Sequence, residues 1–255
     1  MELFYREVGE GPPLVILHGL FGSSDNWYTQ AKMFGEKYHV YLLDQRNHGQ
    51  SPHTAVHDYK LLAEDLKNFL TEKEIKEPII IGHSMGGKTA MNMAIAYPAL
   101  VKLLVVVDIA PKSYPVRHDT IIDGLKALDL TKITSRKEAD EALAEYVPEA
   151  GVRQFLLKNL NRKQAGGFEW KINLNVLDAN IEKMGEGLQY EGEFSKPTLF
   201  IRGIRSNYIL DEDYDRIHEL FTTSTIVSLD TSHWVQAEKP QEFVDSVLEF
   251  IAKYD

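Results

Sequence analysis

The sequence predicts an α/β protein whose mostly parallel, doubly wound sheet is interrupted by a helical insertion. Two observations predict it. Short apolar runs alternate with amphipathic stretches outside the middle third of the chain, and between residues 111 and 194 that strand signal disappears. Such alternation is the pattern of a parallel sheet covered by helices. The strands are expected at 14–17, 40–43, 79–81, 103–107, 198–201 and 225–229. Between them Tyr59, Leu62, Leu66, Phe69 and Leu70 share one helical face, as do Phe243, Val244, Val247, Leu248 and Ile251, with Pro240 where that last helix would begin. The division that follows is a core of residues 1–110 and 195–255 and an insertion of residues 111–194.

Within the insertion, Ser135 and Glu138 have capping-box spacing ahead of Ala139, Ala142, Leu143 and Tyr146. Leu174, Leu177, Ile181 and Met184 form another apolar stripe, which helix packing explains better than a cofactor box. Gly166 and Gly167 read as a turn.

At 255 residues, 44% hydrophobic and 26% charged, the chain has the composition of a globular protein able to bury a large core. Its formal charge of -10 repels phosphate backbones and anionic lipid surfaces, and its Lys and Arg are dispersed, so no nucleic-acid partner is expected. Absence of cysteine excludes disulfides, thiolate catalysis and Cys-based zinc sites. The first residues lack a basic then apolar leader and no run is long enough for a membrane span, so a cytoplasmic location is the expectation.

The strongest chemical signal is Gly82-His83-Ser84-Met85-Gly86, directly after an apolar run and before a helix-forming stretch that ends near Pro98. A serine nucleophile needs a sharp strand-to-helix turn to project its Oγ, and flanking glycines relieve the crowding of that backbone. A chance turn serine is the plain alternative, and the strand before and helix after weigh against it. Gly86, Ala90 and Ala94 would let the following helix lie close against the sheet.

Upstream, the run 14–17 leads into His18-Gly19-Leu20-Phe21-Gly22. A loop here can supply one backbone N–H to an oxyanion, from Leu20 or, if the turn is shifted by one, Phe21. The second N–H would come from Met85, the residue after the nucleophile. His18 reads as a brace for this loop rather than a base. His233 follows the last strand and precedes the final helix, which puts it after Ser84 in the chain and where a loop can return to the strand ends. An imidazole there can take the serine proton and later protonate the leaving group.

With these segments the chain resembles the α/β-hydrolase fold along nearly its whole length, and more narrowly the YbfF-type esterases and their mitochondrial relatives. The narrower resemblance rests on His18-Gly19-Leu20-Phe21-Gly22-Ser23, the stretch from Asp44 to Ser51 with its Asn47-His48-Gly49, Gly82 to Gly87 followed by Lys88, and Val107-Asp108-Ile109-Ala110-Pro111. Asp44 to Ser51 reads as a structural turn and Lys88 as a helix anchor. The resemblance implies an esterase or thioesterase acting on small-molecule acyl esters, acyl-CoA among them, with a helical cap over the nucleophile and neither metal nor organic cofactor. The rival readings are C–C bond hydrolysis or lyase chemistry on the same scaffold, and a binding protein without turnover.

The acid departs from the fold's commonest pattern, G-x-x-D after a late strand, because that register here reads Gly203-Ile204-Arg205-Ser206. A serine cannot carry the charge that stabilises an imidazolium. Asp108 ends the run 103–107 and should emerge one strand from Ser84, and it is also the acid that the resemblance implies. Asp108 is therefore assigned, with Ser206 as a hydrogen-bonding helper. Asp211 is the rival, although its place before Glu212 and Asp213 suits a helix N-terminus equally well. The substrate pocket is expected to be walled by Phe21 and Trp234 and, from the strand-free insertion, by Phe155, Leu156, Phe168, Trp170 and Leu177.

Overall fold

The computed structural model describes residues 1–115 and 119–254, so positions 116–118 of the expected insertion and the last position of the expected core lie outside the described residues. The strands are β1 (Tyr5–Val8), β2 (Pro13–Leu17), β3 (His39–Leu43), β4 (Ile79–His83), β5 (Leu103–Val107), β6 (Leu160–Arg162), β7 (Phe168–Trp170), β8 (Thr198–Gly203) and β9 (Ser224–Leu229). The helices are α1 (Tyr28–Phe34), α2 (Tyr59–Glu72), α3 (Met85–Ala96), α4 (Asp119–Ala127), α5 (Arg136–Leu143), α6 (Ala150–Leu157), α7 (Leu174–Ala179), α8 (Ile181–Gly185), α9 (Tyr214–Leu220), α10 (Val235–Glu238) and α11 (Pro240–Ile251).

Every apolar run named above becomes a strand of one seven-stranded sheet, ordered β1-β3-β2-β4-β5-β8-β9. Among the described residues of this sheet, only β1 runs antiparallel to its neighbour. Its short sequence Tyr-Arg-Glu-Val carries no apolar run, which is why sequence reading passes over it. The central strands are apolar at nearly every position because helices cover both faces. Val15, Leu17, Ile80, Leu104 and Val106 pack on α2 and α3, while Leu14, Ile16, Ile79, Ile81, Val105 and Val107 pack on α1 and α11.

Strand order reverses between β2 and β4, so the loops leaving their carboxyl ends diverge and open a crevice. Both the His18–Gly22 loop and Ser84 leave the sheet there. Among the described residues no helix is long and apolar enough to cross a membrane.

Between β5 and β8 the chain forms α4 to α8 and one feature that departs from the expectation of a strand-free segment. β6 and β7 pair as a small hairpin around Gly166 and Gly167. Three-residue strands are too short to show a period, so only the turn is legible. Ser135 caps α5 by accepting from Glu138 N–H, and the Glu138 carboxylate accepts from the N–H and hydroxyl of Thr134. The stripe Leu174, Leu177, Ile181 and Met184 is buried as expected, broken at Asn180 into α7 and α8. Lys88 anchors α3 to this region. Its side chain is buried and its Nζ donates to the carbonyls of Gly185 and Glu186, while desolvation lowers its pKa to about 7.

Candidate active site

Ser84 stands between β4 and α3 with φ 52° and ψ -117°, a conformation that a side chain adopts only under constraint. The constraint is visible on both sides. Its N–H donates to Val107 O at 3.1 Å, continuing the β4–β5 ladder, and its own carbonyl accepts from Lys88 N–H as α3 begins. A Cβ on Gly82 would lie 2.2 Å from Gly86 O, and one on Gly86 2.5 Å from Leu17 O. Only glycine fits either position, so the elbow and the close seating of α3 on the sheet share one cause.

One strand over, Asp108 leaves β5 with φ 49°, its N–H donating to Ile201 O at 2.8 Å. His83 and Val107 are register partners, so Ser84 and Asp108 leave adjacent strands at the same level. The Asp108 side chain is fully buried. Its Oδ1 accepts from Gly203 N–H at 2.9 Å, and its Oδ2 accepts from Ser206 Oγ and from His233 Nδ1 at 2.8 Å. A carboxylate can only accept here, so His233 carries a proton on Nδ1, and in the neutral imidazole the lone pair is then the one on Nε2. The acid's rival lies elsewhere: Asp211 is 83% exposed and pairs with Arg202 Nη1.

The imidazole of His233 is held from two further directions that sequence reading missed. The Tyr208 ring stacks on it, and His83 Nε2 donates to the His233 carbonyl at 2.9 Å. Desolvation and the neighbouring His233 hold His83 well below the usual histidine range, so the donor is a neutral Nε2–H tautomer. Of these two signals, His83 was available as the residue before Ser84; Tyr208 had none.

The loop after β2 lies against the elbow, and a Cβ built on Gly19 would come within 3.3 Å of Ser84 Cβ. His18 braces it as expected: its Nδ1 donates to Gly19 O and its Nε2 accepts from Gln45 N–H. Of the two candidate donors in this loop, Phe21 N–H is engaged by His48 Nε2 at 3.2 Å. Met85 is the first residue of α3, so its N–H has no partner within the helix.

Ser84 borders two cavities. One, of about 100 Å³, is lined also by His233, Phe21, Trp27, Trp234 and, from the insertion, Ile121, Val152, Phe155 and Leu156. The other, of about 460 Å³, is lined by Tyr59, Met85, Ile109, Tyr114, Met184 and Tyr208 among others. Leu20 borders both. Phe155, Leu156, Phe21 and Trp234 thus line the smaller cavity beside Ser84, and the remaining expected pocket residues line neither cavity. Phe168 and Leu177 are buried in an apolar cluster that joins residues of the 111–194 segment to Phe21, Tyr59, Leu62 and Met85, and Trp170 lines a separate depression with His53 and Leu125. For Phe168 and Trp170 the cause is the unexpected hairpin, whose second strand carries both and seats Phe168 under the Arg162 guanidinium.

Comparison with known proteins agrees with this architecture. The sequence profile of the alpha/beta hydrolase fold family matches residues 12–240. Among curated relatives, a zebrafish (Danio rerio) protein named sn-1-specific diacylglycerol lipase ABHD11 is 40% identical over 95% of this chain and 79% of its own length. Ethanol acetyltransferase 1 of Cyberlindnera fabianii is 31% identical over 93% of this chain and 79% of its own length. A solved structure named marine microorganism esterase superposes with a TM-score of 0.95 at 42% identity, covering 98% of this chain and 99% of that one. With a family profile spanning most of its length and relatives this similar along nearly all of it, the chain belongs to the α/β hydrolase fold family.

Proposed function

We propose that this protein is a serine esterase that hydrolyses acyl esters through an acyl-enzyme on Ser84, with His233 as general base and acid and Asp108 as the acid that orients it. The observation that carries this reading is the Asp108–His233 hydrogen bond, 2.8 Å long, in a cavity that Ser84 shares with the imidazole. His233 Nε2 takes the proton of Ser84 Oγ as that oxygen attacks the ester carbonyl. The tetrahedral oxyanion is held by the N–H groups of Leu20 and Met85. The imidazolium, stabilised by buried Asp108, then returns its proton to the departing alcohol, and water repeats the sequence on the acyl-enzyme. Ser206 helps by holding Oδ2 of Asp108.

The relatives named lipase, esterase and ethanol acetyltransferase support acyl transfer at oxygen. The two cavities refine the substrate. The leaving group must sit beside His233, which borders only the smaller cavity, so the acyl chain takes the larger one. Esters of short alcohols with longer acyl chains fit this division, and the ethanol in the name of one relative is in keeping with it. Thioesters follow the same chemistry, although CoA as leaving group suits the smaller cavity less well than a short alcohol. A fluorophosphonate probe should label the wild-type protein and not Ser84→Ala, which should also lose ester hydrolysis by about 10³-fold or more. Labelling at another residue, or hydrolysis retained without Ser84, refutes the reading.

A further inference from the structure

The stretch from Asp44 to Ser51 looks from sequence like nothing more than a turn after β3. Its His48 does something further. The imidazole is fully buried, and its Nδ1 lies 2.9 Å from Arg46 O. A carbonyl can only accept, so the proton is on Nδ1 and the Nε2 lone pair faces the Phe21 N–H. Burial favours the neutral ring that this tautomer requires.

The other side of Phe21 is held from the insertion. Asn159, buried just after α6, donates through Nδ2 to Phe21 O at 2.7 Å and is itself fixed by Lys171 N–H on its carbonyl. Phe21 is the third residue of the turn closed by Gly22 N–H on Gly19 O, at φ 60°. Such a position usually takes glycine. Here a phenylalanine is kept there by hydrogen bonds at both its N–H and its carbonyl, from two distant parts of the chain.

We propose that His48 and Asn159 are positioning residues for oxyanion binding. Together they fix the turn so that Leu20 N–H, rather than Phe21 N–H, faces the ester oxygen, and Asn159 makes this alignment depend on the seating of the insertion. This rests on the esterase reading above. The test compares Asn159→Asp, which keeps the shape but removes the donor, with His48→Leu and His48→Gln, the last offering an amide oxygen near the place of Nε2. The readouts are kcat, KM and inhibition by a trifluoromethyl ketone, which forms an oxyanion adduct on serine.

Loss of a whole oxyanion donor costs about 10²- to 10³-fold, and a misaimed one less, so Asn159→Asp and His48→Leu should lower kcat by about 10- to 100-fold with KM within about twofold. The ketone should weaken by the same factor, and His48→Gln should recover most of the loss. Unchanged kcat and ketone affinity in folded variants, or a rise in KM alone, overturns the proposal. Should His48→Leu fail to fold, Asn159→Asp decides. Ser84→Ala in the same assay separates the two levels: if it is inactive while the other variants are unaffected, only this inference falls, whereas an active Ser84→Ala removes the esterase reading and this inference with it.

Discussion

The ring of Tyr208 lies against the imidazole of His233, centroids 4.0 Å apart and planes 25° from parallel. His233 is thereby held on one face by an aromatic ring and at Nδ1 by Asp108, and it lines the same cavity as Ser84. Ring contacts of this kind contribute roughly 0.5–1.5 kcal/mol. Tyr208→Ala should therefore lower kcat by about 2- to 10-fold, whereas Tyr208→Phe, which keeps the stacked ring, should stay near wild type. Equal losses in both variants would assign the effect to the hydroxyl and refute a stacking role.

The two aspartates compared in the sequence make opposite predictions. Asp108 is buried with donors on both oxygens, and Asn in its place would offer an N–H toward one of them and lose the charge that stabilises the imidazolium. Asp108→Asn should cut kcat by about 10³-fold or more. Ser206→Ala leaves the carboxylate and the His233 bond in place, so its cost should stay below about tenfold. Asp211 forms an exposed pair with Arg202, a kind that contributes roughly 0–1 kcal/mol, so Asp211→Asn should leave turnover unchanged. A crippled Asp211→Asn beside a mild Asp108→Asn would reverse the assignment.

What was legible in the sequence follows the range of the forces involved. Gly82, Ser84 and Gly86 could be read because they fall in one five-residue pattern between an apolar run and a helix-forming stretch, although the crowding that Gly86 avoids comes from Leu17 on the neighbouring strand. Asp108 could be read because register places the end of β5 beside the end of β4. The hold of His48 and Asn159 on Phe21 could not, since each bond joins distant segments and neither residue type announces it. Phe168 and Trp170 misled for a related reason: aromatic residues show that something is covered, not which side a three-residue strand will turn toward.

The division of the cavities can be tested with isomeric esters of equal hydrophobicity. Ethyl octanoate puts its long chain on the acyl side, and octyl acetate puts it on the alcohol side, where about 100 Å³ is bounded by Phe155, Trp234 and Leu156. Misfit of even one methylene in an apolar pocket costs about 1–3 kcal/mol, so kcat/KM for ethyl octanoate should exceed that for octyl acetate by about tenfold or more. Phe155→Ala, which removes a ring packed on Trp234, should narrow the gap by improving octyl acetate. Preference for octyl acetate in the wild-type protein would place the acyl chain in the other cavity.

Acid stability follows from histidines that the fold buries uncharged. Desolvation is the largest cause of a lowered pKa at His18, His48 and His83, and at His57, where the nearby Arg46 adds to it, the value falls to about 3. The sign is set by the unfolded chain, in which these groups titrate near the ordinary value of about 6.5. Between that pH and each folded value the unfolded state binds more protons, so their contribution is fully present above about pH 6.5 and is lost as the pH falls toward the folded values. Each group can remove up to about 1.4 kcal/mol per pH unit across its window. The urea midpoint should therefore be steady between pH 8 and 7 as far as these groups are concerned and fall steeply from pH 6 to 4. His57→Gln removes one titrating group, so whatever its effect on stability at pH 7, the slope below pH 6 should flatten by up to one proton. A midpoint that stays level from pH 7 to 4 would mean that the buried imidazoles reach solvent or find anionic partners, against the neutral tautomers on which His48 and His83 hold the site together.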